Sequence, residues 1–195
     1  MTSARRWLAL APLALPAVTP LAAQTPLRAT QQIAAAVLPA PAELRADATV
    51  LGYGADGQLR TLRAGTGAMV CLAPNPAQKE FHTACYHRSL EPFMARGRAL
   101  RASGVAGEPV DSARFAEVRA GTLTLPSGPA ALYSLFGGSL DSATGAVTGA
   151  KSLFVVYVPF ATPETTGLPA TPAPGAPWIM SAGTPRAHIM FVPTM

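Results

Sequence analysis

Residues 153–160 constrain the fold of this chain more than any other feature, because they are apolar on both faces of an extended strand. The segment reads Leu-Phe-Val-Val-Tyr-Val-Pro-Phe. Successive side chains of a strand point to opposite faces of a sheet, and a strand without polar alternation is typical of a sheet that is covered on both sides. We therefore predict that this strand lies at the centre of a sheet with cover on each face.

Other segments predict a mainly antiparallel sheet around that strand. Residues 48–53 and 58–63 flank Gly54-Ala55-Asp56-Gly57, whose Asp-Gly step favours the positive φ that a hairpin turn needs. Further strands are predicted over 68–72, 130–136 and 187–192. The sequence thus predicts an α+β domain in which a sheet of about five or six strands packs against two or three helices.

The helices are predicted from apolar spacing and capping residues. A short helix is expected near residues 31–37, followed by a turn at 41–45. Residues 89–103 predict a longer helix with Ser89 as its cap, and residues 111–119 predict another that Asp111 opens. Arg96 and Arg98 fall away from the apolar side of the first of these, which indicates a solvated face.

The first 23 residues have the parts of an export signal. Arg5 and Arg6 form a charged start, residues 7–21 are apolar, and the segment ends in small residues. A membrane anchor is the alternative, but an anchor needs about 20 uninterrupted apolar residues, whereas this run is shorter and is broken by prolines. We expect cleavage after Ala23 and delivery to the bacterial periplasm or the exterior, with no membrane span remaining.

Cleavage leaves about 170 residues, which suits one domain. We expect residues 24–47, which are rich in alanine and proline, to be loosely ordered, and residues 48–195 to form a single domain. Residues 161–185 are rich in Pro, Thr and Gly without periodicity, which predicts a long loop. Only 13% of the chain is charged while 49% is hydrophobic, a balance that favours a folded domain.

The chain contains two cysteines, Cys71 and Cys85. Export would place them in an oxidising compartment, so we predict that they form a disulfide. The residues between them are polar and broken by prolines, which predicts a loop that a covalent link would stabilise.

Several short pieces carry a resemblance to known proteins. They are Ala48-Thr49-Val50, Leu62-Arg63-Ala64-Gly65-Thr66 before the first cysteine, Tyr133-Ser134-Leu135 leading to Gly137-Gly138-Ser139, Pro159-Phe160-Ala161-Thr162, and His188-Ile189-Met190. In these pieces the chain resembles a group of small exported bacterial proteins of unknown function. It departs from the group's pattern at Met69-Val70, where the group has Gly-Trp, and at Val158, where the group has an acidic residue. The resemblance implies export and domain extent, and it brings no activity.

His82 and His87 lie on either side of Cys85, so imidazole and thiolate donors for zinc or copper are close in sequence. Oxidation of the cysteines to a disulfide competes with metal binding, and we prefer the disulfide. With the disulfide formed, the two histidines remain as candidate ligands for a surface metal ion.

His188 lies in the predicted closing strand, where Met190 shares its side. We expect a partly buried histidine with one hydrogen-bond partner. The alternative is a general base acting with one of four hydroxyls, those of Ser134, Ser139, Ser142 and Ser181. None of these serines lies in a Gly-x-Ser-x-Gly elbow. Asp141 is expected to bond its own turn rather than to orient a histidine.

We predict an exported, non-catalytic domain that binds an envelope protein or a small molecule, the latter beneath the 161–185 loop. Such a domain should expose an apolar patch, which we expect around Trp178. The alternatives are a secreted hydrolase using His188 with a serine and a metal-binding protein using His82 and His87. The formal net charge of +5 is spread along the chain rather than concentrated, which argues against a nucleic-acid partner. We assign no cofactor and no catalytic residue.

Overall fold

The computed structural model describes residues 27–172 and 175–192, so the predicted leader lies outside the described residues. The helices are α1 (Ala29–Ala36), α2 (Glu91–Ala102), α3 (Glu108–Arg119) and α4 (Pro163–Thr166), with 3-10 turns at Ala42–Leu44 and Arg88–Leu90. The strands are β1 (Thr49–Tyr53), β2 (Leu59–Arg63), β3 (Met69–Leu72), β4 (His82–His87), β5 (Ala130–Phe136), β6 (Ser139–Leu140), β7 (Val147–Thr148), β8 (Lys151–Tyr157), β9 (Trp178–Met180) and β10 (His188–Phe191).

Eight strands form one sheet in the order β2-β1-β3-β4-β5-β8-β10-β9, and β6 pairs with β7 in a separate hairpin. All neighbours in the large sheet are antiparallel except β1 and β3, which run parallel. The α+β class and the mostly antiparallel sheet are confirmed, but the sheet has more strands than the five or six that we predicted. The additional strands, β4 and β9, lie in segments whose prolines and turn residues had predicted loops.

Cys71 of β3 and Cys85 of β4 lie directly opposite each other and form the predicted disulfide. We expected a loop between the two cysteines. The last three residues of that interval, 82–84, instead belong to β4, which begins at His82. Thr83 is only 1% exposed, so this strand runs through the interior of the domain despite its polar sequence. The Thr83 hydroxyl is paired there, since it donates to the carbonyl oxygen of Leu72 at 2.6 Å.

One face of the sheet, which we call the helical face, carries α2, and α3 packs against α2. Its core contains Val70, Tyr86, Leu90 and Ala130. Two arginines of α2, Arg96 and Arg98, are paired rather than only solvated. Arg96 donates to the carboxylate of Glu117 on α3 at 2.8 Å, and Arg98 donates to Glu91 at 2.6 Å and to the Tyr86 hydroxyl at 2.7 Å. These bonds fix the two helices to each other and to the sheet.

Both longer helices begin away from their predicted starts. α2 starts at Glu91 after a 3-10 turn, in which the side chain of His87 accepts a hydrogen bond from the Ser89 backbone. α3 starts at Glu108, with a proline in its first turn, so Asp111 lies inside the helix rather than at its cap. Proline is favoured in a first turn because its missing N–H would be unpaired there anyway.

The opposite face carries α1 over β1 and β4. Ala35, Ala36 and Ala40 are at most 1% exposed, and Ala36 and Ala40 pack with Val50 and the disulfide in one cluster. Residues 27–47 therefore form part of the core, whereas we expected residues 24–47 to be loosely ordered. An alanine-rich segment has no clear apolar periodicity, so the sequence did not predict a buried face for α1. The small alanine side chains nevertheless allow the helix to approach the sheet closely.

β8 lies inside the sheet between β5 and β10, as predicted. The prediction that both of its faces are covered is wrong. On the helical face Val155 is 5% exposed, whereas its neighbour Phe154 on the other face is 41% exposed. The described residues therefore cover one side of this apolar strand only in part.

Candidate functional site

The uncovered part of the second face spans β5, β8 and β10, and we call it the open face. Strand register places its side chains in three rows across the strands. The rows are Ala131–Val156–Ile189, Tyr133–Phe154–Phe191 and Leu135–Ser152. The middle row is entirely aromatic, and Tyr133 meets Phe154 edge to face with 5.8 Å between ring centroids. The open face thus contains seven apolar residues, one serine and no charge.

None of the eight side chains of the open face is fully buried by the described residues. Phe154 is 41% exposed and Phe191 is 38% exposed. Large aromatic side chains normally lie inside a protein, and an exposed contiguous group of them marks an interaction site more often than a single exposed apolar residue does. The open face is therefore a candidate interaction surface.

The open face has a wall on each side. On one side α1 packs over β1 and β4, and Tyr133 contacts the edge of its cluster. On the other side the chain after β8 folds back, so that Leu168 and Ala161 pack against Ile179 of β9. We call this folded-back segment, residues 158–172 and 175–187, the side lobe. The open face is consequently the floor of a trough, three strands wide.

The side lobe replaces the long loop that we predicted over residues 161–185. It contains α4 and β9, and the Ile179 N–H donates to the carbonyl oxygen of Pro169 at 2.9 Å. The side lobe has a small core of its own and packs beside the open face. Trp178, the expected centre of an exposed patch, is only 8% exposed. The apolar patch therefore lies on β5, β8 and β10 instead.

A cleft of about 590 Å³ lies between the start of α1, the loop before β4 and the β6–β7 hairpin. Its lining includes Leu27, Phe81 and Leu140 together with Lys79 and Glu80. This volume is in the range of small-molecule sites. The most buried polar lining residue is Gln32, whose amide donates to the carbonyls of Leu27 and Tyr53 at 2.7 and 2.9 Å and accepts from the Tyr53 N–H. Its polar atoms are thus already used in holding α1 to β1.

His188 is 7% exposed and stacks on Tyr157, with 5.0 Å between the ring centroids. Its Nδ1 lies 2.7 Å from the carbonyl oxygen of Arg186. A carbonyl can only accept, so Nδ1 carries the proton when the ring is neutral and Nε2 carries the lone pair. Burial lowers the pKa of His188, and the charge of Arg186 acts in the same direction. Burial also raises the pKa of Tyr157.

The predicted partnership of His188 with a serine is not formed among the described residues, since its only hydrogen bond is to the backbone. Ser181 has a left-handed backbone with φ of 55°. Its hydroxyl accepts from the guanidinium of Arg186 at 3.0 Å. Arg186 also pairs with Asp111, which pairs in turn with Arg114. This network ties α3 to the side lobe, and the Ser181 oxygen is used within it.

Ser134 does contact a histidine, but the histidine is His82. His82 Nε2 and Ser134 Oγ are 2.9 Å apart on the helical face, on neighbouring strands. Burial lowers the pKa of His82. The ring makes no hydrogen bond to a carboxylate in residues 27–172 and 175–192, so the third member that orients a catalytic histidine is lacking there. Sequence reasoning missed this pair because it depends on the register of β4 against β5.

The structure separates the two histidines of the metal hypothesis. His82 and His87 lie five residues apart in one strand, so alternation directs them to opposite faces of the sheet. Their cysteine neighbours are oxidised. No group of three metal-ligating side chains occurs in the described ranges. The arrangement therefore does not support a site shared by these histidines.

The remaining hydroxyl candidates belong to the β6–β7 hairpin. Ser139 Oγ lies 3.1 Å from the Thr148 hydroxyl across the hairpin. The Asp141 carboxylate accepts the backbone N–H groups of Ala143 and Thr144, as we expected of an acid in a turn. The backbone carbonyl of Ser142 accepts from the side chain of Gln31 in α1. The bond from Gln31 joins the hairpin to α1, and the other contacts hold the hairpin itself.

Comparison of the chain with protein-family models, curated proteins and solved structures found no match in any of the three. Among the helices of the described ranges, none combines the length and apolar character that crossing a membrane requires.

Proposed function

We propose that this protein is an exported, non-catalytic binding domain that acts by holding an apolar segment of another envelope protein on its open face. The observation that carries the proposal is the contiguous aromatic row of Tyr133, Phe154 and Phe191, which the described residues leave partly exposed in the middle of the sheet. The protein would thus act by association.

The energetic reason for a partner follows from the exposed areas. A phenylalanine side chain has roughly 200 Å² of surface to bury. At 41% and 38% exposure, Phe154 and Phe191 each leave about 80 Å² in water. At about 25 cal/mol per Å², covering both would contribute about 4 kcal/mol before the cost of association. Natural selection for solubility would remove such a surface unless it had a use.

Export is part of the proposal. The disulfide between Cys71 and Cys85 is consistent with an exported protein, since disulfides persist in oxidising compartments. The charged and apolar pattern of residues 1–23 supports the same location. The periplasm or the exterior of a bacterium is therefore the place where we expect the partner.

Photo-crosslinking tests the binding surface. Phe154 and Phe136 are matched positions, since they lie in neighbouring strands, are 41% and 37% exposed, and face opposite sides of the sheet. A photoreactive phenylalanine analogue placed at either position in exporting cells should react differently. We expect one protein adduct of defined mass from position 154 and none of that mass from position 136. Equal adducts from both positions, or none from either, would contradict the proposal.

A further inference from the structure

We propose that the segment held by the open face is a single amphipathic α-helix of about three turns, presented by the partner protein. This inference rests on the proposed function and adds the shape and chemistry of what is bound. It follows from the width, the length, the area and the charge of the trough floor.

The width of the trough fits one helix. Neighbouring strands lie about 4.8 Å apart, so the floor formed by β5, β8 and β10 is about 14 Å wide. An α-helix with its side chains is about 10–12 Å in diameter. α1 lies on one side of the floor and the side lobe with Leu168 on the other. A floor about 14 Å wide accepts one helix and is too narrow for two side by side.

The row spacing suits a helix as well. Successive rows of the open face are two residues apart along a strand, which is about 7 Å. Side chains at positions i and i+4 of a helix are separated by about 6 Å along its axis. Three turns of apolar side chains, one turn over each row, would therefore cover the floor from Ala131 to Leu135.

The area of the floor argues against a second copy of this chain as the occupant. Three strands and three rows span about 300 Å². A stable interface buries about 800 Å² on each partner. Two copies facing each other would also have to accommodate α1 and the side lobe, which pack on the same face of the sheet. A single helix needs only the floor between them.

The charge of the floor defines the chemistry of the bound face. The eight residues of the open face carry no ionisable side chain that is charged at neutral pH. A charged group on the buried side of the helix would lose its hydration without gaining a partner. The bound helix should therefore present apolar residues at i, i+3, i+4 and i+7, with its charges directed to solvent, and its binding should depend little on salt.

Peptide titration tests this inference. The probes are a 14-residue peptide with leucines at those spacings between lysine and glutamate, and a peptide of the same composition in which the leucines are scattered. Both would be titrated into the full chain and followed by fluorescence anisotropy. We expect the striped peptide to bind at least tenfold more tightly than the scattered peptide, and its dissociation constant to change less than twofold between 50 and 500 mM salt.

Two matched variants locate the binding. Phe154→Glu should weaken the striped peptide at least tenfold, whereas Phe136→Glu, at a similarly exposed position on the helical face, should leave it within twofold. The thermal unfolding of each variant checks that it is folded. Equal binding of both peptides, or equal loss in both variants, would overturn the inference.

The outcomes also separate this inference from the proposed function. If position 154 crosslinks a partner through an extended segment, or if the chain forms a dimer that Phe154→Glu dissociates, the helix is wrong while an open-face interaction remains. If position 154 crosslinks nothing in exporting cells, the proposed function fails whatever the peptides do.

Discussion

Replacing Asp111 by asparagine should destabilise the fold through the charges that it leaves behind. The Asp111 carboxylate pairs with both Arg114 and Arg186, and its side chain is 19% exposed. Asparagine has nearly the same size but no charge. The Arg114 side chain is 5% exposed and lies over the Phe93 ring, so it cannot regain water when its partner is neutralised. Its Nε already lacks a hydrogen-bond partner among the described residues.

The expected loss in unfolding free energy depends on how exposed each of the two arginines is. Breaking a buried ion pair by removing one partner costs about 3–5 kcal/mol. Arg186 is 36% exposed and also donates to the Ser181 hydroxyl, so it can turn to solvent at little cost. We therefore expect the lower end of the range, about 3 kcal/mol, nearly all of it from Arg114.

Urea unfolding measures this loss. With a slope of about 2 kcal/mol per molar for a domain of this size, the midpoint should fall by about 1.5 M. Asp56→Asn is the matched control, because Asp56 pairs with Arg60 on the surface at 56% and 52% exposure and should shift the urea midpoint far less. Adding Arg114→Met to Asp111→Asn should recover part of the loss, since it removes the stranded charge. Equal costs for Asp111→Asn and Asp56→Asn would refute the reasoning.

Three further perturbations have expected outcomes. Replacing Cys71 and Cys85 by alanine should lower the unfolding free energy by about 3 kcal/mol, and reducing agent should then have no further effect on the urea midpoint, although it shifts that of the native protein. Because burial lowers the pKa of His188 below its ordinary value near 6.5, the stabilisation from its neutral ring is complete above about pH 6.5 and is lost as pH falls through the folded pKa. His188→Gln should therefore flatten the fall in stability between about pH 7 and pH 5, and an unchanged slope would contradict this assignment. Gly65→Ala should cost about 2 kcal/mol, because a Cβ there would collide with the backbone of Asp47, whereas Gly128→Ala, which meets nothing within 4 Å, should change calorimetric stability by under about 0.5 kcal/mol.

Local rules predicted those parts of the fold that depend on neighbouring residues. The Asp56-Gly57 step predicted the β1–β2 hairpin, and the structure has Gly57 at φ of 72° within it. Two cysteines in a chain with a predicted export signal predicted one disulfide, which is present. The hairpin turn depends on a few adjacent residues, and the disulfide is the only pairing that two cysteines allow.

The elements that were missed depend on partners far along the chain. β4 follows a proline-rich loop, and its polar side chains conceal a strand until the neighbouring β3 and β5 are in place. Had the sequence predicted β4 as a strand, the alternation of its side chains would have placed His82 and His87 on opposite faces of the sheet. The contact of His82 with Ser134 bridges 52 residues, and only strand register brings it about.

The candidate site shows a different limit. The sequence of residues 153–160 predicted a strand that is apolar on both faces, and this pattern correctly indicated how much apolar surface there is to cover. It contained no information about whether this chain or another supplies the cover. The exposed fraction of Phe154 shows that the described residues leave part of this surface in solvent.

Residue-resolved covalent footprinting in exporting cells tests most directly whether the open face is occupied. A diffusible carbene reagent would label Phe154, Phe191 and Phe136 of the protein in its envelope, and the same residues of the purified protein. Their similar exposures, 41%, 38% and 37%, make the three a matched set. We predict that Phe154 and Phe191 are labelled in the purified protein and strongly protected in cells, while Phe136 is labelled equally in both. Equal labelling of all three in cells and in solution would contradict the claim that the open face binds a partner.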